Sequence, residues 1–175
     1  MPSESVVFSI IVTPDLIPDG SLVPLLELLD DLSPVLDLMG TDMAQWQQRN
    51  FEDKGETFGQ PWPELAPATL KEKRRLGFPD ETLVRYGRIA SEIGETMLLT
   101  SDSVTTGINL DFAPEAAFHD DPGPGSHVPQ RILVALVPQE VQDLQQRLVD
   151  WISGRTGKLP QGIEIVTNGF TMSGR

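Results

Sequence analysis

Proline placement constrains this chain most, because a locked φ and a missing N–H suit the first turn of a helix and disrupt every later turn. Ser33-Pro34, Pro67 and Pro138 each head an apolar stretch with spacings of three and four, so the sequence marks three helix starts. The first, with Ser33 as its expected cap, carries Leu36, Met39, Met43 and Trp46 on one stripe and runs to about Phe51. The second passes through Leu70 to Leu76 and is ended by Gly77 and Pro79. The third places Val141, Leu144, Leu148 and Trp151 or Ile152 on one stripe, with Gln139, Glu140, Gln145 and Gln146 opposite, and is expected to stop at Gly154.

Two further stretches have helical spacing. After Ser21 as a cap, Leu22, Leu25, Leu26, Leu29 and Leu32 share a stripe with Glu27, Asp30 and Asp31 mostly on the other side. Leu83, Tyr86, Ile89, Ala90 and Ile93 repeat the pattern, interrupted by Gly87 and closed near Gly94. Strands are expected at Val6 to Val12, at Thr96 to Thr100 and Val104 to Leu110 as a hairpin around Ser101-Asp102-Ser103, and at Gly162 to Asn168. The order strand, helices, hairpin, helix, strand predicts an α+β fold. Its antiparallel β-sheet of about four strands is flanked on one face by α-helices, since a doubly wound parallel sheet would need alternating elements. At 175 residues the chain is one domain, residues 1–168, with extended loops at about 52–66 and 111–130 and a C-terminal tail at 169–175.

Composition removes whole classes of function. Twenty-six Asp and Glu against 13 Lys and Arg give a formal charge of −13, unfavourable for nonspecific attachment of the whole molecule to nucleic acid or an anionic membrane. The absence of cysteine excludes disulfides, thiolate catalysis and Cys-ligated zinc or iron–sulfur centres. The first residues lack a basic leader region and no apolar run approaches the ~18 residues of a membrane span, so the expected location is the cytosol, without a membrane partner. No nucleophile elbow, phosphate loop or dinucleotide fingerprint is present, so no catalytic residue and no cofactor is assigned.

Three groups of residues stand out. Lys71, Lys73, Arg74, Arg75, Arg85 and Arg88 concentrate six of the 13 cations in one short segment. They read as a surface for an acidic neighbouring subunit, as salt-sensitive contacts to a phosphate backbone, or as a solvated helix face. Trp62, held between Pro61 and Pro63 with Leu65 following, reads as a loop anchor stapled to the core, or as an exposed hot spot for a partner. His119, Asp120, Asp121 and His127 contain both histidines and suggest a small metal-dependent hydrolase as an alternative. Their spacing matches no ligand motif, and a polar exposed loop is the simpler reading.

The order of several short motifs carries a resemblance. Phe51, Gly59, Pro61-Trp62, Leu65, Pro67, Thr69 and Lys73 are followed by Leu83 and Gly87-Arg88-Ile89, then Ala116-Ala117-Phe118-His119 with Gly123, and finally Val128-Pro129, Arg131 and Leu133. From about residue 34 to 153 this resembles the phage virion morphogenesis family, the tail-completion proteins of Mu-like and related contractile-tailed phages. The resemblance implies a non-enzymatic virion protein at the head–tail junction or tail end, assembled in the host cytoplasm. It also implies a homo-oligomeric ring of six copies that contacts head connector and neck proteins, tail tube or sheath proteins, and DNA passing through the channel. A nucleic-acid-binding module built on residues 71–88 is the alternative that the charge pattern leaves open.

Overall fold

The computed structural model describes residues 3–12, 22–156 and 163–173. The chain is α+β: β1 (Ser3–Val12), α1 (Leu22–Asp30), α2 (Ser33–Glu52), α3 (Pro67–Leu76), α4 (Arg88–Glu92), β2 (Thr96–Leu99), β3 (Val104–Gly107), α5 (Glu115–Asp120), α6 (Pro138–Thr156) and β4 (Ile163–Ser173). The strands do not merge into the expected four-stranded sheet. They form two antiparallel pairs, β1 with β4 and β2 with β3. β1 runs close to β3, yet no ladder joins them among the described residues. The β1–β4 pair brings the two ends of the chain together, from Val12 opposite Ile163 to Ser3 opposite Ser173, with one register shift between Val6 and Phe8. Residues 169–173 are therefore strand and not tail: Phe170 to Ser173 each face a β1 residue, with Gly169 at the register shift, and pairing satisfies backbone groups that a free tail would leave to water.

The proline-marked helices form where expected. Pro34 and Pro67 both occupy first-turn positions, but neither α2 nor α3 has a side-chain N-cap. Ser33 is the first residue of α2 and not its cap, because the Asp31 carboxylate accepts the Ser33 N–H at 2.9 Å and holds the end of the helix from outside. Hydrogen bonding from Ser33, its side chain first and then its N–H, keeps the Asp31 carboxyl below its ordinary range. α6 is capped from within: Glu140 is buried, and its carboxylate accepts the Val137 N–H at 2.9 Å, half of a capping box. Glu140 thus leaves the polar face assigned to it, and the helix continues past Gly154 to Thr156. The expected Ser21 cap and the side chains of Leu22 and Leu25 lie outside the described residues. In α1, Leu26 is exposed, whereas Leu28 and Leu29 pack on the core.

Two apolar cores result. The first joins Val35, Leu36, Met39 and Met43 of α2 to Leu144, Leu148 and Ile152 of α6, with Leu136 and the β4 residue Ile165. α2 crosses the β2–β3 hairpin so closely that a Cβ on Gly40 would lie 2.4 Å from Met97 Sδ. The second core is built mostly by loops and short helices: Trp62, Ile89, Ile93, Ile108, Ala113, Ala116, Leu133 and Val134, with Phe51, Leu83 and Leu110 against them. The helix expected from Leu83 shrinks to α4. Leu83 adopts a left-handed conformation (φ 61°), Tyr86 faces solvent, and Gly87 (φ 77°) flanks the first helical residue. The 111–130 loop likewise contains a short helix, α5, whose Ala116 is buried.

Candidate functional site

The buried centre of the second core is a stretch without regular structure. Residues Arg131, Leu133, Val134, Ala135 and Leu136 are all buried although they belong to no helix or strand, so their backbone groups need partners from elsewhere. Side chains supply them. The Ile132 carbonyl accepts from Trp62 Nε1 at 3.1 Å and from Asn50 Nδ2 at 3.2 Å. The Leu133 N–H donates to Asp120 Oδ1 at 3.3 Å, the Arg131 N–H to the His119 carbonyl at 2.7 Å, and Gln130 Nε2 to the Asp120 carbonyl at 2.8 Å. Arg131 in turn donates through Nη2 to the Pro63 carbonyl at 3.0 Å, tying this stretch to the loop after α2.

That loop is closely bonded. The Trp62 N–H donates to the Lys54 carbonyl at 2.7 Å, the Gln60 N–H to that of Gly55 at 3.1 Å, and Asp53 accepts from the N–H groups of Gly55 and Thr57. Trp62 is buried with its ring edge-on to Phe51 at 5.4 Å, the geometry of a staple. Pro61 is exposed and Leu65 half-buried.

The basic segment does not present six equivalent charges. Lys73 is 7% exposed, and its Nζ donates to the carbonyls of Glu81 at 2.5 Å and Val84 at 2.9 Å, which the left-handed turn at Leu83 brings together. Burial depresses its pKa. Arg74 pairs with Asp80 at 2.7 Å, lowering the Asp80 pKa, and Arg88 makes two parallel bonds of 3.0 Å to Glu115. Arg85 lies 3.6 Å from Glu72 and over the rings of Phe78 and Tyr86. Lys71 and Arg75 are exposed and make no ion pair among the described residues. Sequence spacing missed the burial of Lys73 because a helical charge run gives no sign of two carbonyls arriving from the following loop.

The histidine–aspartate cluster is divided: His119 and Asp120 are half-buried, whereas Asp121 and His127 are exposed. Asp120 holds Leu133, with burial raising its pKa, and Asp121 accepts the Gly123 N–H at 3.2 Å. Among the described residues, no three His, Asp or Glu side chains are grouped as a metal site would need. His119 is half-buried with a depressed pKa, first from burial and then from the neighbouring positive charge of Arg131.

α3, the 78–87 loop, α4, α5 and Arg131 together line a cavity of about 330 Å³ that is open to solvent on one side. Leu65, Lys73, Arg88, Glu115, His119 and Arg131 line it. Residues read from separate motifs therefore share one wall. Gln47 and Asn50, both buried, were not marked by apolar spacing, although they continue the stripe of Leu36, Met39 and Met43 at the same intervals. Gln47 donates to Thr106 Oγ1 at 2.7 Å, fixing α2 against β3.

A model of the phage virion morphogenesis family matches residues 19–152, well over half of the chain. No curated protein and no solved structure matches it. Among the described residues no helix is long and apolar enough to cross a membrane.

Proposed function

From the premise that the chain belongs to the phage virion morphogenesis family, we propose that it is a structural subunit of a tailed phage. In this reading it is a neck or tail-completion protein that forms a ring of six copies, finishes the tail and joins it to the head. The family match across residues 19–152 carries this reading. The surface supports it. Tyr86, Leu98 and Phe118 are each more than 60% exposed, and large exposed apolar side chains of this kind suit contacts between subunits. β2 is an edge strand that carries Leu98 outward, open to a neighbour. Lys71 and Arg75, with Arg74, Arg85 and Arg88 beside them, meet the acidic body of the next copy, as a heterologous ring requires two different complementary faces. Lys73 belongs to the frame behind that surface, and Pro61, Trp62 and Leu65 hold the loop that supports it. The ring contacts head connector and neck proteins on one side and tail tube or sheath proteins on the other, with DNA passing through its channel.

Electron microscopy and light scattering of the purified chain test the ring, and particles assembled without the protein test the joining role. Closed rings, and unjoined heads and tails in its absence, are the expected results. A strict monomer at high concentration, together with heads still joined to tails in its absence, would sink the reading.

A further inference from the structure

The face of α1 turned away from the first core is only half polar. Val23, Leu26, Glu27 and Asp30 recur at spacings of three, four and seven, so they share one side of the helix, and all four are exposed. Val23 is 63% and Leu26 50% exposed, while Leu28 and Leu29 turn to the core. Neither Glu27 nor Asp30 is in an ion pair among the described residues. Both lie in the last turn of α1, which carries no basic residue, so their charge meets the negative end of the helix dipole. Two adjacent apolar side chains in water and two carboxylates at the wrong helix end are features that a partner with cations and apolar surface relieves.

α3 carries the matching face. Ala68, Lys71, Glu72 and Arg75 follow the same spacing and are all exposed. Arg74 is paired with Asp80, and Glu72 with Arg85. That leaves Lys71 and Arg75 as two cations without an ion pair among the described residues, against two such carboxylates on α1. Near them stand Leu76, 42% exposed, and Tyr86, 63% exposed, which share the wall of the cavity beside α3. α2 keeps the two faces apart. α1 packs with Val35 and Leu36 at the start of α2, whereas Leu70 of α3 shares a surface hollow with Asp53 and Lys54 just after its end. The 20 residues between span about 30 Å, so the faces belong to different copies in any contact they make.

We propose that the outer face of α1 docks on α3 of a second copy, Glu27 and Asp30 accepting from Lys71 and Arg75 while Val23 and Leu26 cover Leu76 and Tyr86. This names the neighbour's surface in the ring reading above and rests on that reading. Two unlike faces at opposite ends of α2 link copies head to tail, as a heterologous ring requires. The charge of −13 opposes another copy and a nucleic acid alike, but beyond about 10 Å it is screened at 0.1 M salt, so local matching decides. Apolar surface separates the two partners: a phosphate backbone offers nothing to Leu76 and Tyr86 and leaves Val23 and Leu26 uncovered.

The test uses the full chain with either face reversed, as K71E/R75E or E27K/D30K, followed by sedimentation velocity. Each variant alone should associate at least about tenfold more weakly than wild type, because attractive pairs become like-charge contacts. Mixed in equal amounts the two should recover wild-type assembly, since each offers the face that the other's reversed face needs, and six alternating copies close a ring. Recovery also shows that both variants are folded. L26Q, which alters no charge, should weaken wild-type assembly severalfold and answers even where a reversed variant does not fold. A mixture that associates no better than either variant alone, or L26Q assembling as tightly as wild type, overturns the docking and leaves the ring reading standing. A monomeric wild type overturns the ring reading itself. Duplex oligonucleotide binding that K71E/R75E abolishes, with self-association unchanged, would reassign α3 to phosphate.

Discussion

Replacing Trp62 with Phe and Asn50 with Ala, singly and together, tests whether the buried 131–136 stretch depends on side-chain donors. The Ile132 carbonyl accepts from both residues, so either single variant leaves it one donor. Each lost hydrogen bond then costs about 0.5–1.5 kcal/mol, with a further term for the volume removed. The double variant leaves the carbonyl with neither donor, and an unmet buried acceptor adds about 1–3 kcal/mol that neither single variant incurs. Volume terms appear in the singles and again in the double, so they cancel in the cycle. The expected coupling is therefore unfavourable, on the order of 1–2 kcal/mol beyond the sum of the singles. Equilibrium urea unfolding followed by far-ultraviolet circular dichroism measures it. Additivity to within about 0.5 kcal/mol would refute the argument, because it would mean that water reaches the Ile132 carbonyl and the stretch is not held as described.

K73M should cost about 1–3 kcal/mol in the same assay by stranding the Glu81 and Val84 carbonyls, while K71M stays within about 0.5 kcal/mol; equal effects would return Lys73 to the exposed face. Gly55 and Gly77 both have positive φ, but a Cβ on Gly55 would lie 2.4 Å from the Gln60 carbonyl oxygen and one on Gly77 would meet nothing within 4 Å. G77A should therefore cost about 1–2 kcal/mol and G55A clearly more, with the reverse order of unfolding midpoints counting against the loop geometry. Burial raises the Glu140 carboxyl above its ordinary 4.5, so the folded chain holds that proton more tightly than the unfolded chain does. Wild type then loses stability relative to E140Q as pH climbs from 4.5 through the higher folded value; a difference independent of pH would show that Glu140 is solvated.

Local covalent chemistry made much of the fold legible. Pro34, Pro67 and Pro138 mark helix starts because their rings act on their own turn, and the Leu36 to Met43 and Leu144 to Ile152 stripes follow from side-chain spacing along a single helix. The hairpin around residues 101–103 was equally readable, since its two strands are sequence neighbours. Trp62 between its prolines announced a rigid aromatic, and the order of motifs led to the family that the comparison then matched.

What could not be read depends on groups far apart in the chain. The pairing of β1 with β4 joins opposite ends of the molecule and extends strand structure to Ser173, whereas turn residues after Asn168 locally suggest an end. Lys73 and Glu140 carry charge that sequence assigns to solvent, and both are buried because backbone groups of other residues require them. The cavity at Arg131 likewise brings together α3, α4 and α5, which no local period relates. Periodicity records which face of an element is apolar; which polar groups that face must satisfy is settled only when another element arrives with unpaired donors and acceptors.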